Sequence, residues 1–449
     1  MRKNQLFLAI CGVIAGGLST QMSQGEVTNA ADRSPVIDAT INDHDRIACH
    51  DGKSKAYVPI KRITSPPGFH WFAYYDKLQC DPSGRYVLGM KTFFEHRSPC
   101  PEDVIEIGMV DLMEDCLWIK LGESCAWGWQ QGCQLQFIPG SRNEVLWNDR
   151  EDGRFVCRIM NIETREKRTI PWPIYALSPD GRWAVTTDYR RLNDTRPGYG
   201  YAGIPDPNKD HPAPEDSGIW KIDLLTGDAT LIISIAQIAA INNPYASGDI
   251  DEAKHWFNHL LINPDGTRFI FLHRWRHTDA AKNKKYPGGY GTRMLTASMD
   301  GRDIRIIDPY NYTSHFIWCD PRHILAWTRI PKQGSGFFLF EDACKGQIEQ
   351  VGKGVMTVNG HCTYLPGNTW ILNDTYPNRE TRIQSIYLYH TGNGERIPLA
   401  DLYSPPSYTG EWRCDTHPRT TPDGKFVIVD SPNQEGRQMY ILDIRTIIK

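Results

Sequence analysis

The sequence predicts an all-β fold, a seven-bladed β-propeller whose N-terminal strand completes the last blade. Seven Pro-centred turns, each between two apolar runs, stand at Pro82, Pro139, Pro179, Pro264, Pro321, Pro366 and Pro422. They lie 57, 40, 85, 57, 45 and 56 residues apart, close to the length of a four-stranded blade with generous loops. Four histidines keep one register against these turns: His259, His315, His361 and His417 stand five or six residues ahead of the last four prolines. The chain holds only 14 histidines in 449 residues, so a shared register points to a shared centre. Blades stacked in a ring aim such residues at one axis.

Taken from the N-terminus, residues 1–30 read as an export signal. Arg2 and Lys3 form a cationic head, Leu6 to Leu18 an apolar stretch too short to span a bilayer, and Thr28-Asn29-Ala30-Ala31 a cleavage region. A periplasmic or extracellular protein is therefore expected, with residues 31–55 an N-terminal extension and residues 56–449 the propeller. The strand-like run from Ala56 to Thr64 precedes the first turn. It is expected to pair with the last blade, because a ring of sheets must hide its edges.

Each turn carries the same device, clearest in Ile262-Asn263-Pro264-Asp265-Gly266-Thr267-Arg268-Phe269. Proline presets the turn, glycine takes a positive φ, and the β-branched and aromatic run that follows makes the second strand. Leu177 to Gly181 and Thr421 to Gly424 repeat it. Outer strands show as apolar stretches reaching an aspartate, as in Gly218 to Asp223 and Met439 to Asp443. The long third gap, residues 186 to 256, holds Pro/Gly-rich loops around Arg196 to Tyr201 and a short helix near Ile235 to Ile241. Loops of that length usually carry function. A second loop, Ala280 to Thr292, presents Lys282, Lys284 and Lys285.

Composition narrows the function. Gly 38, Pro 30 and 11% aromatic residues suit a turn-rich β protein, and a formal net charge of −3 gives no nucleic-acid footprint. No apolar span of membrane length follows the signal. Removing the signal leaves eleven of twelve cysteines, none in C-x-x-C spacing; some disulfides are possible after export, and buried free thiols are expected at Cys133, Cys157 and Cys319. A closed ring requires no partner subunit.

The chemistry should sit where the registered histidines meet. Residues i and i+2 of a strand face the same way, so Asp415 and His417 form a pair that His361 of the neighbouring blade can join. Two imidazoles and a carboxylate suit Mn²⁺, Fe²⁺ or Zn²⁺. His259 and His315 share that register. His70, Tyr74 and Lys77 belong to the run Gly68-Phe69-His70-Trp71-Phe72-Ala73-Tyr74-Tyr75-Asp76-Lys77, whose aromatic and titratable groups suit sugar contacts. Arg293 follows the lysine loop and can reach the same mouth. No nucleophile elbow is present, since Gly334-Ser335-Gly336 lacks the spacing. A paired-carboxylate glycosidase stays open at this stage, as does a non-catalytic carbohydrate-binding propeller.

These residues resemble the oligogalacturonate lyase family, seven-bladed propeller polysaccharide lyases, from about Val58 onward. The likeness is carried by His70 to Lys77, Ile222-Asp223-Leu224-Leu225-Thr226-Gly227, His259, Thr292-Arg293-Met294, Ser314-His315-Phe316, His361 and His417-Pro418. Members bind Mn²⁺ through the histidine matching His361 and a Gln-x-x-His-x-His run. Here that run reads Trp412-x-x-Asp415-x-His417, which keeps the last ligand, replaces a histidine by a carboxylate and loses the glutamine. The export signal is a second departure, because members act in the cytoplasm on short imported oligomers.

The resemblance implies metal-assisted β-elimination on an oligosaccharide containing a 4-O-linked uronic acid, leaving a 4,5-unsaturated sugar. Oligogalacturonate, ulvan and rhamnosyl-glucuronate glycans are the candidate substrates. It implies His361, Asp415 and His417 as ligands of a divalent cation, Mn²⁺ by analogy. Catalysis would fall to Arg293, His315 and His259, with His70, Tyr74 and Lys77 on the substrate. Arg293 matches the family's proposed base, but an arginine is a poor base. His315, His259 or a channel tyrosine competes with it.

Overall fold

The computed structural model describes residues 52–246 and 250–448, so the expected export signal and Cys49 lie outside the described residues. Seven antiparallel sheets follow one another along the chain, six of four strands and one of five. Their first strands are Phe69–Trp71, Gln136–Phe137, Ala176–Leu177, Lys254–Ile262, Phe316–Asp320, Thr363–Tyr364 and Arg419–Thr420. Every predicted proline lies between the first and second strands of a blade.

The turns form as expected, and for the expected reason. Gly84, Gly181, Gly266 and Gly424 adopt φ of 74°, 68°, 73° and 72°, a region closed to most side chains. Asn263 shows why its turn is rigid. Its Oδ1 accepts from the backbone N–H of Thr267 and of Arg268, each at 3.0 Å, while its Nδ2 donates to the Pro321 carbonyl of the next blade at 3.1 Å. Blade-to-blade spacing is thus set at the turns as well as in the core.

The ring closes through the N-terminus. Ile60–Arg62 pairs with Gln438–Asp443 in the register Ile60↔Leu442, completing the seventh blade as predicted. Lys55–Ala56 does something the sequence did not indicate: it adds a fifth strand to the sixth blade, beside Arg396–Tyr403. The step between blades occurs around Pro59, which has no N–H to continue a ladder. Tyr57 still donates to the Leu399 carbonyl at 2.9 Å, and the Pro59 carbonyl accepts from Asp443 at 2.9 Å. Beneath both strands Ile60, Leu388, Leu402, Val427 and Leu442 are fully buried together, each contributing about 2 kcal/mol.

Helix is sparse. Ile235–Ala239 forms where a helix was expected, Ala280–Asn283 lies in the lysine loop, and Tyr189–Thr195 was not anticipated; Asp188 caps the last by accepting from Arg190 N–H. Among the described residues all ten cysteines are free. Cys133 and Cys157 are buried as expected, whereas Cys319 is only half-buried.

Candidate functional site

The four registered histidines do meet. The His315 and His361 rings are 4.0 Å apart between centroids and those of His361 and His417 are 4.4 Å apart. Tyr74 fills the space between them, 5.3 Å from His259, 4.8 Å from His417 and 5.7 Å from His361. Its hydroxyl is buried without a hydrogen-bond partner. Two of the histidines are held in strained backbone: His259 at φ 54° on a bulge between Asn258 and Leu261, and His417 at φ 41°. Bulges re-aim a side chain, and such strain persists where the surroundings fix it.

His361, Asp415 and His417 bring one ligand atom each within 4.8 Å of one another. His361 Nε2, His417 Nε2 and Asp415 Oδ1 are buried with no hydrogen-bond partner. Orphaned polar atoms at such depth are costly, so three of them on residues that bring their ligand atoms this close fit a cation. Two imidazole nitrogens and a carboxylate oxygen suit Mn²⁺, Fe²⁺ or Zn²⁺. The outer contacts are also built: Asp374 accepts from His361 Nδ1 at 3.0 Å and from Thr416 Oγ1 at 2.6 Å, and Arg413 Nε donates to Asp415 Oδ2 at 2.8 Å. Such carboxylate–histidine contacts orient metal ligands. Trp412, where the resemblance expects glutamine, turns its Nε1–H to the Ser407 carbonyl and offers no ligand.

Burial keeps these imidazoles neutral. It brings His361 down to about 3 and, with neighbouring cationic groups, holds His259, His315 and His417 well below the ordinary value. Their hydrogen bonds then assign tautomers. Gln131 Nε2 donates to His259 Nδ1 at 3.3 Å, leaving the proton on Nε2. His315 Nδ1–H donates to Asn359 Oδ1 at 3.0 Å, so its Nε2 accepts from the Tyr376 hydroxyl at 3.3 Å.

Beside the cluster opens a cavity of about 500 Å³, reached by His259, His315, Tyr199 and Tyr376. Arg196, Arg274 and Arg329 line it, with no Asp or Glu among the described residues of its wall. Arg274 is the strongest feature: buried, with Nε and Nη1 lacking any hydrogen-bond partner. Burial, then repulsion from Arg196, lowers it to about 9, still cationic at neutral pH. For Tyr199, burial alone would raise the phenol, but the guanidiniums of Arg413 and Arg196 outweigh it and bring it to about 8. Arg413 Nη2 donates to the Tyr199 oxygen at 2.8 Å.

Several predicted residues lie elsewhere. Arg293 pairs across the sheet with His273, while its neighbour Thr292 pairs with Arg274, so strand alternation turns Arg293 away from the cavity. Its guanidinium donates to His273 Nδ1 at 3.0 Å and to the carbonyls of Ile241 and Ile238 at 2.9 and 2.6 Å. Burial lowers it to about 10, which still leaves no basic lone pair at neutral pH. Arg293 anchors the helix Ile235–Ala239 and the chain after it. Arg293→Ala should therefore cost about 3 kcal/mol in chemical denaturation by stranding buried carbonyls, with kcat/KM per folded molecule nearly unchanged.

His70 stands twelve residues ahead of Pro82, outside the shared register. It packs between the first and seventh blades, with Nδ1 3.0 Å from Gln438 Oε1 and its ring against Trp118. Lys77 does hold the register but is sealed in, donating to the Tyr175 carbonyl at 2.8 Å and to Asp76 at 3.1 Å. Of the predicted substrate contacts only Tyr74 sits at the cluster. Arg274, Asp374 and Tyr376 were missed. The one signal for Tyr199 and Arg196 was their place in the long Arg196–Tyr201 loop.

No protein-family model and no curated protein sequence matches the chain. Solved structures do match. Oligogalacturonate lyase from Vibrio parahaemolyticus superposes with a TM-score of 0.60 at 15% identity, over 87% of this chain and 96% of that chain. An oligogalacturonate lyase in complex with manganese gives a TM-score of 0.60 at 16% identity, over 87% of this chain and 94% of that chain. The chain shares the seven-bladed fold of these proteins.

Proposed function

We propose that this protein is a lyase that cleaves a 4-O-linked uronic acid in an oligosaccharide by β-elimination, leaving a 4,5-unsaturated sugar. One observation carries the reading. The unpartnered ligand atoms of His361, Asp415 and His417 lie beside a cavity whose wall has three arginines and no described carboxylate. A paired-carboxylate glycosidase needs two acids flanking its bond, and this wall offers neither. The likeness to a manganese-bound lyase supports Mn²⁺ as the cation.

The C5 proton of a uronate is too weakly acidic to leave until the adjacent carboxylate is neutralised. A cation bound by His361, Asp415 and His417 would supply Lewis-acid stabilisation of charge at that carboxylate. Arg274 lines the same cavity with Nε and Nη1 unpartnered, so its guanidinium can donate to that carboxylate and to the enolate-like charge that develops. Tyr199, with Arg413 stabilising its phenolate, takes the C5 proton. His259, assigned its proton on Nε2, donates to the departing O4. His315 orients Tyr376 beside them. The ring is complete in one chain, which supports a monomer, and the N-terminal charge pattern supports export to where uronate polymers are met.

The test is ultraviolet absorbance of the unsaturated product on oligogalacturonate, ulvan and rhamnosyl-glucuronate oligomers, with and without chelator. New reducing ends without that absorbance would mean hydrolysis, and binding without turnover would mean a recognition module. Tyr199 adds a pH signature. Its deprotonated form is the base, so kcat/KM should rise with pH through about 8 and level off above it. Tyr199→Phe should remove that limb and lower kcat/KM by about 10²–10⁴-fold.

A further inference from the structure

We infer that Gln131 is a positioning residue that commits His259 to presenting an N–H, rather than a lone pair, at the ring nitrogen left free to meet a ligand in the cavity. The inference rests on the uronate reading only for what receives that hydrogen bond, the departing O4.

The direction of each hydrogen bond here follows from one that cannot be reversed. The His259 backbone N–H can only donate, and it donates to the Tyr175 hydroxyl oxygen at 2.8 Å. The Tyr175 hydrogen therefore goes to Gln131, whose Oε1 accepts it at 2.8 Å. Gln134 Nε2 donates to the same oxygen at 3.3 Å, which fixes the orientation of the Gln131 amide a second time. The other end of that amide is then the donor, and it meets His259 Nδ1 at 3.3 Å. A circuit that leaves His259 at its backbone returns at Nδ1, where the ring can only accept.

Three blades build this circuit. Gln131 precedes the first strand of the second blade, Tyr175 precedes that of the third, and His259 lies on that of the fourth. Gln131, Gln134 and Tyr175 are buried, which shields their bonds from water. Lys77 of the first blade holds the Tyr175 carbonyl at 2.8 Å. Burial, then the charge of Asp76, raises the Tyr175 phenol well above its ordinary value, so it keeps the hydrogen the circuit needs.

The circuit matters because the imidazole is neutral. An imidazolium would donate from both nitrogens, whereas a neutral ring has a single N–H to place. Burial, then the charges of Arg274 and Arg196, disfavours the charged ring. His259 lines the cavity, and with Nδ1 occupied only Nε2 is left for a ligand. A neutral N–H aimed at charge developing on oxygen stabilises it without giving up its proton. The departing O4 keeps the electron pair of the C4–O4 bond and takes its proton from water.

The experiment combines imidazole nitrogen NMR of the full-length protein, labelled at histidine, with initial rates of unsaturated product. His259→Gln identifies the His259 signals. In the wild type Nδ1 should show the shift of a bare nitrogen and Nε2 that of an N–H, across neutral and mildly alkaline pH. Gln131→Glu offers Nδ1 only acceptors, so Nδ1 should gain a proton and Nε2 should lose its own as pH rises. Gln131→Leu offers Nδ1 nothing and should give shifts averaged over both tautomers. At alkaline pH, kcat/KM of Gln131→Glu toward a uronate oligosaccharide should fall about 10²–10³-fold, the loss of one preorganised donor. Toward a uronate carrying nitrophenyl at O4, whose departure needs no such donor, the same variant should stay within about threefold of wild type. A wild-type Nδ1 that carries the proton, a Gln131→Glu protein whose Nδ1 stays bare, or an equal loss on both substrates would overturn the inference. Expected shifts in a protein that makes no unsaturated product keep the circuit and sink the lyase, and unsaturated product from a wild type protonated at Nδ1 does the reverse.

Discussion

Arg274→Ala should lower kcat/KM toward a uronate oligomer by about 10²–10³-fold, the usual loss when one preorganised donor to a developing anion is removed. The reason lies in what Arg274 lacks. It is buried, Nε and Nη1 have no hydrogen-bond partner, and Arg196 repels it. A guanidinium in that position is unfavourable without an anion, and binding a carboxylate removes the penalty. Arg274→Met should accordingly raise the stability of the unliganded protein by about 1–3 kcal/mol while abolishing turnover, because an apolar side chain would replace a buried guanidinium that has the Tyr290 ring at 4.9 Å but no hydrogen bond at Nε or Nη1. Arg274→Lys should recover only part of the rate, since an ammonium has no planar fork. Initial rates of unsaturated product and denaturant titrations read both effects. A loss below about threefold would remove Arg274 from carboxylate recognition.

His361→Ala should reduce turnover to background and weaken divalent-cation binding by more than about 10²-fold, beyond the 10–100-fold typical of losing an outer partner. Asp374→Asn should fall within that smaller range. Asp374 accepts from His361 Nδ1, from the His361 backbone N–H and from Thr416 Oγ1, an all-acceptor role that an amide cannot fill. Its burial raises it to about 6, so acidification should loosen these contacts before it protonates His361, which burial brings to about 3. Competition titrations with a fluorescent chelator measure both variants. Equal affinity in His361→Ala and wild type would remove the cation from this cluster.

The seven turns and the histidine register were legible because each rests on local rules: proline and glycine fix a turn, and its distance from a side chain sets which way that side chain points. Arg293 shows where such rules stop. One residue along a strand reverses its direction, and the arginine that lines the cavity, Arg274, lies on the paired strand. Position in the chain gave no way to choose between them. Tyr199 and Asp374 depend on partners from other blades. The Tyr199 pKa is set by Arg413, 214 residues away, and Asp374 bonds Thr416 across a blade boundary. The aromatic run around His70 suggests a sugar contact, although its distance from Pro82 sets it apart from the registered histidines.

The N-terminal stretch has a consequence for durability. It stitches the outer edges of two adjacent blades, the sixth through Lys55–Ala56 and the seventh through Ile60–Arg62. Those same two supply His361 on one side and Asp415 and His417 on the other, with Thr416 and Asp374 already clasped between them. An ion seated by these three side chains would be a rivet at the seam that this stretch fastens from outside. Wear that starts by peeling the leading strands, whether by heat or protease, reaches the blades that carry these three side chains before the remaining five feel it, so a cation bound there should slow the first step of the molecule's failure.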